Sequence, residues 1–372
     1  MKITEIVATP VAMAYRPEYQ ADKRFYPKPP VQTNVIVEIH TDEGVTGIGE
    51  SAHAPGIYGE MAGSTMAGID YLRPAIVGQD PRRITRINAA IDRLSPVNNI
   101  AAKAGIDIAL HDLAGKLLEV PVYQLLGGLV HDELRTHISP ATFDDTADQL
   151  MELAGEGYRV FKQKMSGDTD YDLALIEQLL DLVPDDVYIS LDPNQGWTVN
   201  QTLEIANVLE RRTKFPRNLI FEQPIDGADV LGAAYIRSHT RIPLMLDDGI
   251  RTAPDLAKIL DAGAADMVSL KISRVGGIQR CLQLIKMAEA HNVAYIVDEI
   301  NEFRIANTAV AHLALASRRP FYTGTTCHTL FEGDIATGGV EIVGGKVRVT
   351  DAPGLGLTSI DFSKRIAEGV LV

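Results

Sequence analysis

Five short apolar runs, each closed by a charged residue, recur between residues 159 and 271: RVFKQK, VYISLD, NLIFE, PLMLD and DMVSLK. From Lys164 the closing residues Asp192, Glu222, Asp247 and Lys271 follow at steps of 28, 30, 25 and 24 residues. A strand, a loop and one helix together take roughly 25–30 residues, the size of a βα unit. Five such units in succession, each ending its strand on a carboxylate or an amine, predict a parallel (β/α) barrel. In that architecture the carboxyl ends of the strands converge on one face, where the chemistry is done. Randomly scattered charges would not respect strand ends in this way.

The chain has 372 residues, room for a barrel of about 200–250 residues plus a smaller domain. Residues 2–15 and 34–50 read as strands, with turn signals at Asp42–Gly44 and Gly47. Residues 66–119 read mostly as helix, AKAGIDIALHDLAGKLL carrying apolar residues at helical spacing. Two loops interrupt this segment, 16–33 and 51–63. After Leu126-Gly127-Gly128 the texture becomes alternating: THISPAT (136–142) is the expected first barrel strand, and VAYIVDE (293–299) and RPFYTGT (319–325) the seventh and eighth. The tail reads as a hairpin around Gly344-Gly345. The expected fold is therefore α/β, a TIM-type barrel of the modified (β/α)7β kind with an α+β capping domain. The expected boundaries are 1–125 for the cap, 126–329 for the barrel and 330–372 for a segment that returns to the cap.

A net charge of −14, without an extended basic tract, argues against nucleic acid and anionic membranes as partners. No apolar run reaches transmembrane length, and MKITEIVATP lacks the apolar core of a signal peptide. Cys281 and Cys327 are the only cysteines, which suggests two thiols in a reducing compartment. The expected location is the cytoplasm.

Three acids at consecutive strand ends, Asp192, Glu222 and Asp247, suit a hard cation such as Mg²⁺. One aspartate at a strand end reads equally well as a helix N-cap; three in successive units with lysines on both sides do not. Strand alternation places Lys162 and Lys164 on one side and Gln163 on the other. Lys271 lies four strands further round, on the opposite wall. Repulsion between Lys162 and Lys164, with a cation nearby, is expected to lower a lysine pKa towards neutrality, as a general base needs.

Taken together, KAGIDIALHDLAGK before LLGG, the KxK pair at 162–164, DPNQGW at 192–197, FEQP at 221–224, LDD at 246–248 and LKISRVGGI at 270–278 resemble the enolase superfamily. Within it they resemble the muconate lactonizing enzyme subgroup of the mandelate racemase/muconate lactonizing enzyme family, over essentially the whole chain. The resemblance implies that Asp192, Glu222 and Asp247 hold Mg²⁺, with Mn²⁺ as the alternative, and that the ion binds a substrate carboxylate. It implies Lys164 as the base on one face, Lys271 as acid or base on the other, and Lys162 as the group that tunes Lys164. Asn194 would act beside the metal. No histidine falls at the end of strand seven, so the two-lysine form applies rather than the racemase form with histidine. One departure is Asp247-Asp248, where the family has Asp-Glu, which leaves the role of Asp248 open.

Lysine bases and a metal make an enediolate from a carboxylate; the substrate decides how that intermediate collapses. The resemblance assigns specificity to loops 16–33 and 51–63 and to the ends of strands seven and eight. These supply Lys23, Arg24, Phe25, Tyr26, His53, Tyr58, Asp298, Glu299, Glu302, Thr325, Thr326 and His328. Dipeptide epimerases carry an Asp-x-Asp pair at strand eight, and TTCHTLFEGD has none there. Asp298 and Glu299 are expected to face a cationic nitrogen, or else to cap the following helix. The expected activity is racemisation or epimerisation of an amino-acid-derived carboxylate of N-acyl amino acid, proline or betaine type. Muconate-type cycloisomerisation comes next, then syn-dehydration. A non-catalytic binding protein is the remote alternative, and a Schiff-base lyase would leave the acid triad unexplained. The resemblance also implies a homo-oligomer, a dimer or an octamer.

Overall fold

A computed structural model of the chain describes residues 1–20, 31–55, 59–95, 97–140, 146–184, 186–212 and 217–366. Lys23, Arg24, Phe25, Tyr26 and Tyr58 lie outside the described residues. Strands β1 (Ile3–Ala14), β2 (Val31–Thr41) and β3 (Thr46–Ser51) form an antiparallel meander. The run expected over 34–50 thus divides at a turn where Gly44 has φ 80°, a left-handed conformation that glycine adopts without a Cβ penalty. Helices Ala62–Leu72, Ile84–Leu94 and Ile100–Leu117 follow. Val35, Val37 and Ile39 of β2 pack with Ile69, Ile91, Ile106 and Leu110 into one apolar core. A Cβ on Gly49 would run into the backbone of helix Ile100–Leu117, so the glycines of GIGES let sheet and helix touch.

The barrel is a seven-stranded parallel sheet in sequential order: β5 (Val160–Lys164), β6 (Tyr188–Asp192), β7 (Leu219–Glu222), β8 (Leu244–Leu246), β9 (Met267–Lys271), β10 (Ala294–Asp298) and β11 (Pro320–Thr323). The strand expected at 136–142 contracts to two bridges, Thr136 with Thr323 and Ile138 with Phe161. These join β11 to β5 and close the ring. Pro140 offers no N–H to extend that ladder. The residues just before, β4 (Leu134–Arg135), pair instead with β14 (Lys346–Val349) of the tail. The tail supplies β12 (Ala336–Gly338), the hairpin β13 (Val340–Val343) and β14 (Lys346–Val349), and β15 (Leu357–Ile360). Bridges Val11–Arg365 and Tyr15–Phe331 connect it to β1 and the residue that follows.

Period-two alternation sorts the barrel interior. At the amino-terminal end Val160, Ile220, Met245, Met267, Ile296 and Tyr322 form a closed apolar cluster. The same faces, two or four residues on, carry Lys162 and Lys164, Glu222, Asp247, Ser269 and Lys271, Asp298, and Gly324. Apolar burial thus supports the bottom of the barrel, and the charged groups are stacked above it. Among the described residues no helix is long and apolar enough to cross a membrane.

Candidate active site

Each rung of the charged ladder meets its neighbour across the barrel mouth. Lys164 Nζ donates to Asp192 Oδ2 at 2.5 Å and to Asn194 Oδ1 at 2.6 Å. Lys162 Nζ donates to Glu222 Oε1 at 2.8 Å and to Asp298 Oδ2 at 2.9 Å. Lys271 Nζ donates to Asp247 Oδ2 at 2.7 Å, and Arg274 Nη2 donates to Asp247 Oδ1 at 2.7 Å. Four carboxylates therefore face four cations. Lys162 and Lys271 are buried, whereas the side chain of Lys164 keeps 39% of its surface exposed. Of these amines Lys164 is the one most open to an incoming molecule.

The charges act on one another strongly because water is excluded. Burial pushes Asp192 up to about 6, against the pull of Lys164. Burial opposes ionisation at Asp247 as well, but Arg274 and then Lys271 hold it below the usual carboxylate range. At Lys162 burial favours the neutral amine, yet Asp298 and Glu222 outweigh it and hold the ammonium well above an ordinary lysine.

Whether these residues suit a divalent cation can be judged from the donors. Oxygens of Glu222, Asp247 and Asp298 lie within 4.8 Å of one another, and all three residues are buried. Asp192, the expected third ligand, stands at the next strand end with Lys164 across it. Carboxylate oxygens are the hard donors such ions take, and each oxygen of Asp192, Glu222 and Asp247 retains a second lone pair beside the hydrogen bond it accepts, so these three fit.

The strand-end loops are braced by amides of the sequence motifs. Gln223 Oε1 accepts from Asp247 N at 2.8 Å, and Gln195 Nε2 donates to Asp248 Oδ2 at 3.0 Å. Asp248 also lies 3.5 Å from Arg274 Nη1, so the shorter residue at this position still ties the loop after β6 to the segment after β9. Asn194, Gln195 and Gln223 all have positive φ, 45°, 69° and 38°. Such strain in non-glycine residues gathers where surrounding contacts fix a site.

The residues expected to read the substrate divide differently. Asp298 is enclosed by Lys162, by Ser269 Oγ at 2.9 Å and by His137 Nε2 at 2.7 Å. Glu299 accepts from Asn307 Nδ2 at 2.9 Å, Thr326 Oγ1 at 2.9 Å and Cys327 N at 2.7 Å. Neither presents an uncommitted carboxylate to a cationic nitrogen, and neither caps the helix that follows, whose first amides go to Glu50; both brace the interior instead. Glu302 accepts from Ser273 Oγ at 2.7 Å. Thr325 donates to Thr136 Oγ1 at 3.0 Å and helps close the ring. His328 is buried on Asn307. His53 is buried too, its imidazole lowered to about 4 by burial.

Residue reasoning overlooked His137, Ser190, Ser269, Arg274 and Asp172. Ser190 Oγ donates to Glu222 Oε2 at 2.7 Å, and Asp172 accepts from Ser166 N, Gly167 N and Trp197 Nε1, fixing the loops after β5 and β6. Ser190 and Ser269 carried a signal, lying two positions before a ladder residue on the same face. Asp298 carried one as well: it stands 27 residues after Lys271 and closes AYIVD, the next rung of the ladder.

Comparison with known proteins agrees with this geometry. Residues 28–127 match the mandelate racemase/muconate lactonizing enzyme N-terminal domain, and residues 145–361 the enolase C-terminal domain-like family. The chain is 32% identical over 363 residues to N-succinyl-L-Arg/Lys racemase of Bacillus cereus, covering 96% of this chain and 95% of that one. It is 31% identical to muconate cycloisomerase 1 of Pseudomonas putida, covering 88% of each. The structure of L-Ala-D/L-Glu epimerase from Bacillus subtilis superposes with a TM-score of 0.90 at 26% identity, over 97% of this chain and 100% of that one.

Proposed function

Because the chain belongs to the mandelate racemase/muconate lactonizing enzyme family of the enolase superfamily, we propose that it moves a proton on and off the α-carbon of an amino-acid-derived carboxylate, as a racemase or epimerase. The observation that carries this reading is the pair Lys164 and Lys271, on strands four apart in the ring and each bonded to a different acid. Lys164 takes the α-proton on one face and Lys271 returns one on the other. Asp192 and Asn194 orient the Lys164 amine, while Asp247 orients that of Lys271. Lys162, held as an ammonium, attracts the carboxylate end of the substrate. Asp192, Glu222 and Asp247 hold Mg²⁺, or Mn²⁺ in its place. When bound, that cation would supply positive charge that offsets the second negative charge developing as the carboxylate becomes an enediolate.

An N-acylated substrate is preferred to one with a free ammonium. The acids Asp298 and Glu299 at the end of β10 are committed to internal partners, and an amide nitrogen needs no counter-ion. The B. cereus relative, named for N-succinyl-arginine and N-succinyl-lysine, points the same way. Muconate-type cycloisomerisation is the second reading, favoured by the similarity to the P. putida enzyme. A dimeric or octameric cytoplasmic enzyme completes the proposal, and light scattering on the purified protein checks the assembly.

The test is proton NMR in D₂O with Mg²⁺, using N-succinyl-L-arginine, other N-acyl amino acids, prolines, betaines and muconolactone. Deuterium entering one α-carbon with inversion is the expected result. Lactone opening without α-exchange in any amino acid would replace the proposal with the cycloisomerase.

A further inference from the structure

Three expected metal ligands stand among four cations: Lys162, Lys164, Lys271 and Arg274. Asp248 answers Arg274 at 3.5 Å, whereas among the expected ligands only Glu222 answers Lys162. Asp298 supplies a second carboxylate to that buried ammonium. It reaches Lys162 Nζ at 2.9 Å, lies 3.6 Å from Lys271 Nζ, and is wholly buried. Its orientation is fixed from two other elements, by Ser269 Oγ on β9 and by His137 Nε2 from the seam before β5. Room for the His137–Asp298 pair depends on Gly324 at the end of β11, where a Cβ would collide with both side chains.

We infer that Asp298 is a positioning residue: a counter-ion that holds Lys162 and balances the site's charge so that Glu222 and its neighbours can take up a divalent cation. This role presupposes the metal-assisted proton transfer proposed above. The alternative, Asp298 as a ligand in its own right, is suggested by its proximity to Glu222 and Asp247. Its oxygens, however, already accept from Lys162, Ser269 and His137.

The two roles separate in a double-mutant cycle read by Mn²⁺ binding, followed by electron paramagnetic resonance on the full chain without substrate. Asp298→Asn keeps the shape and removes the charge. A counter-ion role predicts that it weakens Mn²⁺ binding at least about tenfold, because one uncompensated ammonium then faces the dication at short range. In a Lys162→Met background the same change should matter less than about threefold, since the ammonium to be balanced is gone. An equal, tenfold loss in both backgrounds would make Asp298 a ligand and overturn the inference, as would no loss in either. Should Asp298→Asn alone fail to fold, comparing Lys162→Met with Lys162→Met/Asp298→Asn still decides. A tenfold difference between those two would mean a ligand and overturn the inference; near-equality, with folding restored by removing the ammonium, would mean a counter-ion. Failure of the unmodified protein to bind Mn²⁺ would overturn both this role and the metal site of the proposed function. Normal binding with an additive cycle would overturn this role alone.

Discussion

Two sets of buried carboxylates, alike in residue type and in burial, differ in what they face. At the barrel mouth Asp192, Glu222, Asp247 and Asp298 are matched with lysine ammonium groups and the Arg274 guanidinium. At the junctions between elements the partners are mainly backbone amides. Glu50 of β3 accepts from Phe303 N at 2.7 Å and Ala306 N at 2.9 Å, capping helix Arg304–Ala316 from across the domain boundary. Asp107 accepts from Gln279 N at 3.2 Å, at the start of helix Ile278–Ala290. Asp112 accepts from Ile48 N and Leu355 N, both at 2.8 Å, with Lys116 Nζ at 2.7 Å beside them. An acid bonded to a cation can exchange that partner for a metal or a substrate group of like charge. An acid bonded to backbone N–H groups cannot, because those donors have no other acceptor once buried. The balance of partners, rather than burial, therefore separates the acids of the proposed active site from those that hold the domains in register.

The contrast is broken most directly at the lysines. Lys164→Ala and Lys271→Ala should each lower turnover by about 10³-fold or more, within the range for loss of a general acid or base, with Mn²⁺ binding retained. Full activity in both variants, measured by α-proton exchange in D₂O, would remove the mechanism. Chelation comes next: EDTA should abolish α-proton exchange and added Mg²⁺ restore it, while the thermal melt keeps a single cooperative transition.

Asp112→Asn tests the other set. It should cost about 1.5–3 kcal/mol of stability, the range for hydrogen bonds to charged groups, and change the kcat of the folded enzyme less than about twofold. Denaturant melts and steady-state assays on the same preparation check it; a large loss of kcat without loss of stability would dissolve the distinction between the sets.

The smallest effect concerns pH. Burial, reinforced by Glu299, pushes Glu302 up to about 8 from an ordinary 4.5. An acid whose native pKa lies above its unfolded value keeps a proton that the unfolded chain has already released. Stability then falls as pH rises through that window, here from about 4.5 to about 8, and levels off above it. Glu302→Gln should flatten this decline in thermal melts taken from pH 5 to pH 9. An unchanged slope would show that the decline comes from another group.

Most of the active site was legible because a parallel barrel makes position in sequence equivalent to position in space. One charged residue per βα unit, at the strand end, is brought to the same face by the repeat itself. The ladder from Lys162 to Lys271 required no knowledge of packing, and the apolar runs below it identified the barrel core. The docking acids were only half legible. Asp107 and Asp112 lie within KAGIDIALHDLAGK, read only as a motif and not residue by residue, because their partners lie up to 243 residues away and no local pattern selects them.

What the chain alone determined was the fold class, the order of the strands and the face on which the charges gather, all consequences of period and alternation. Tertiary structure decided which cation each acid meets, and so turned Asp298 and Glu299 inward instead of towards a substrate. It also reduced the first barrel strand to two bridges, and it showed that Gly324 must lack a side chain for the His137–Asp298 pair to exist. These are matters of a few ångströms between residues far apart in sequence, set by how strands close into a ring, and periodicity carries no information at that scale.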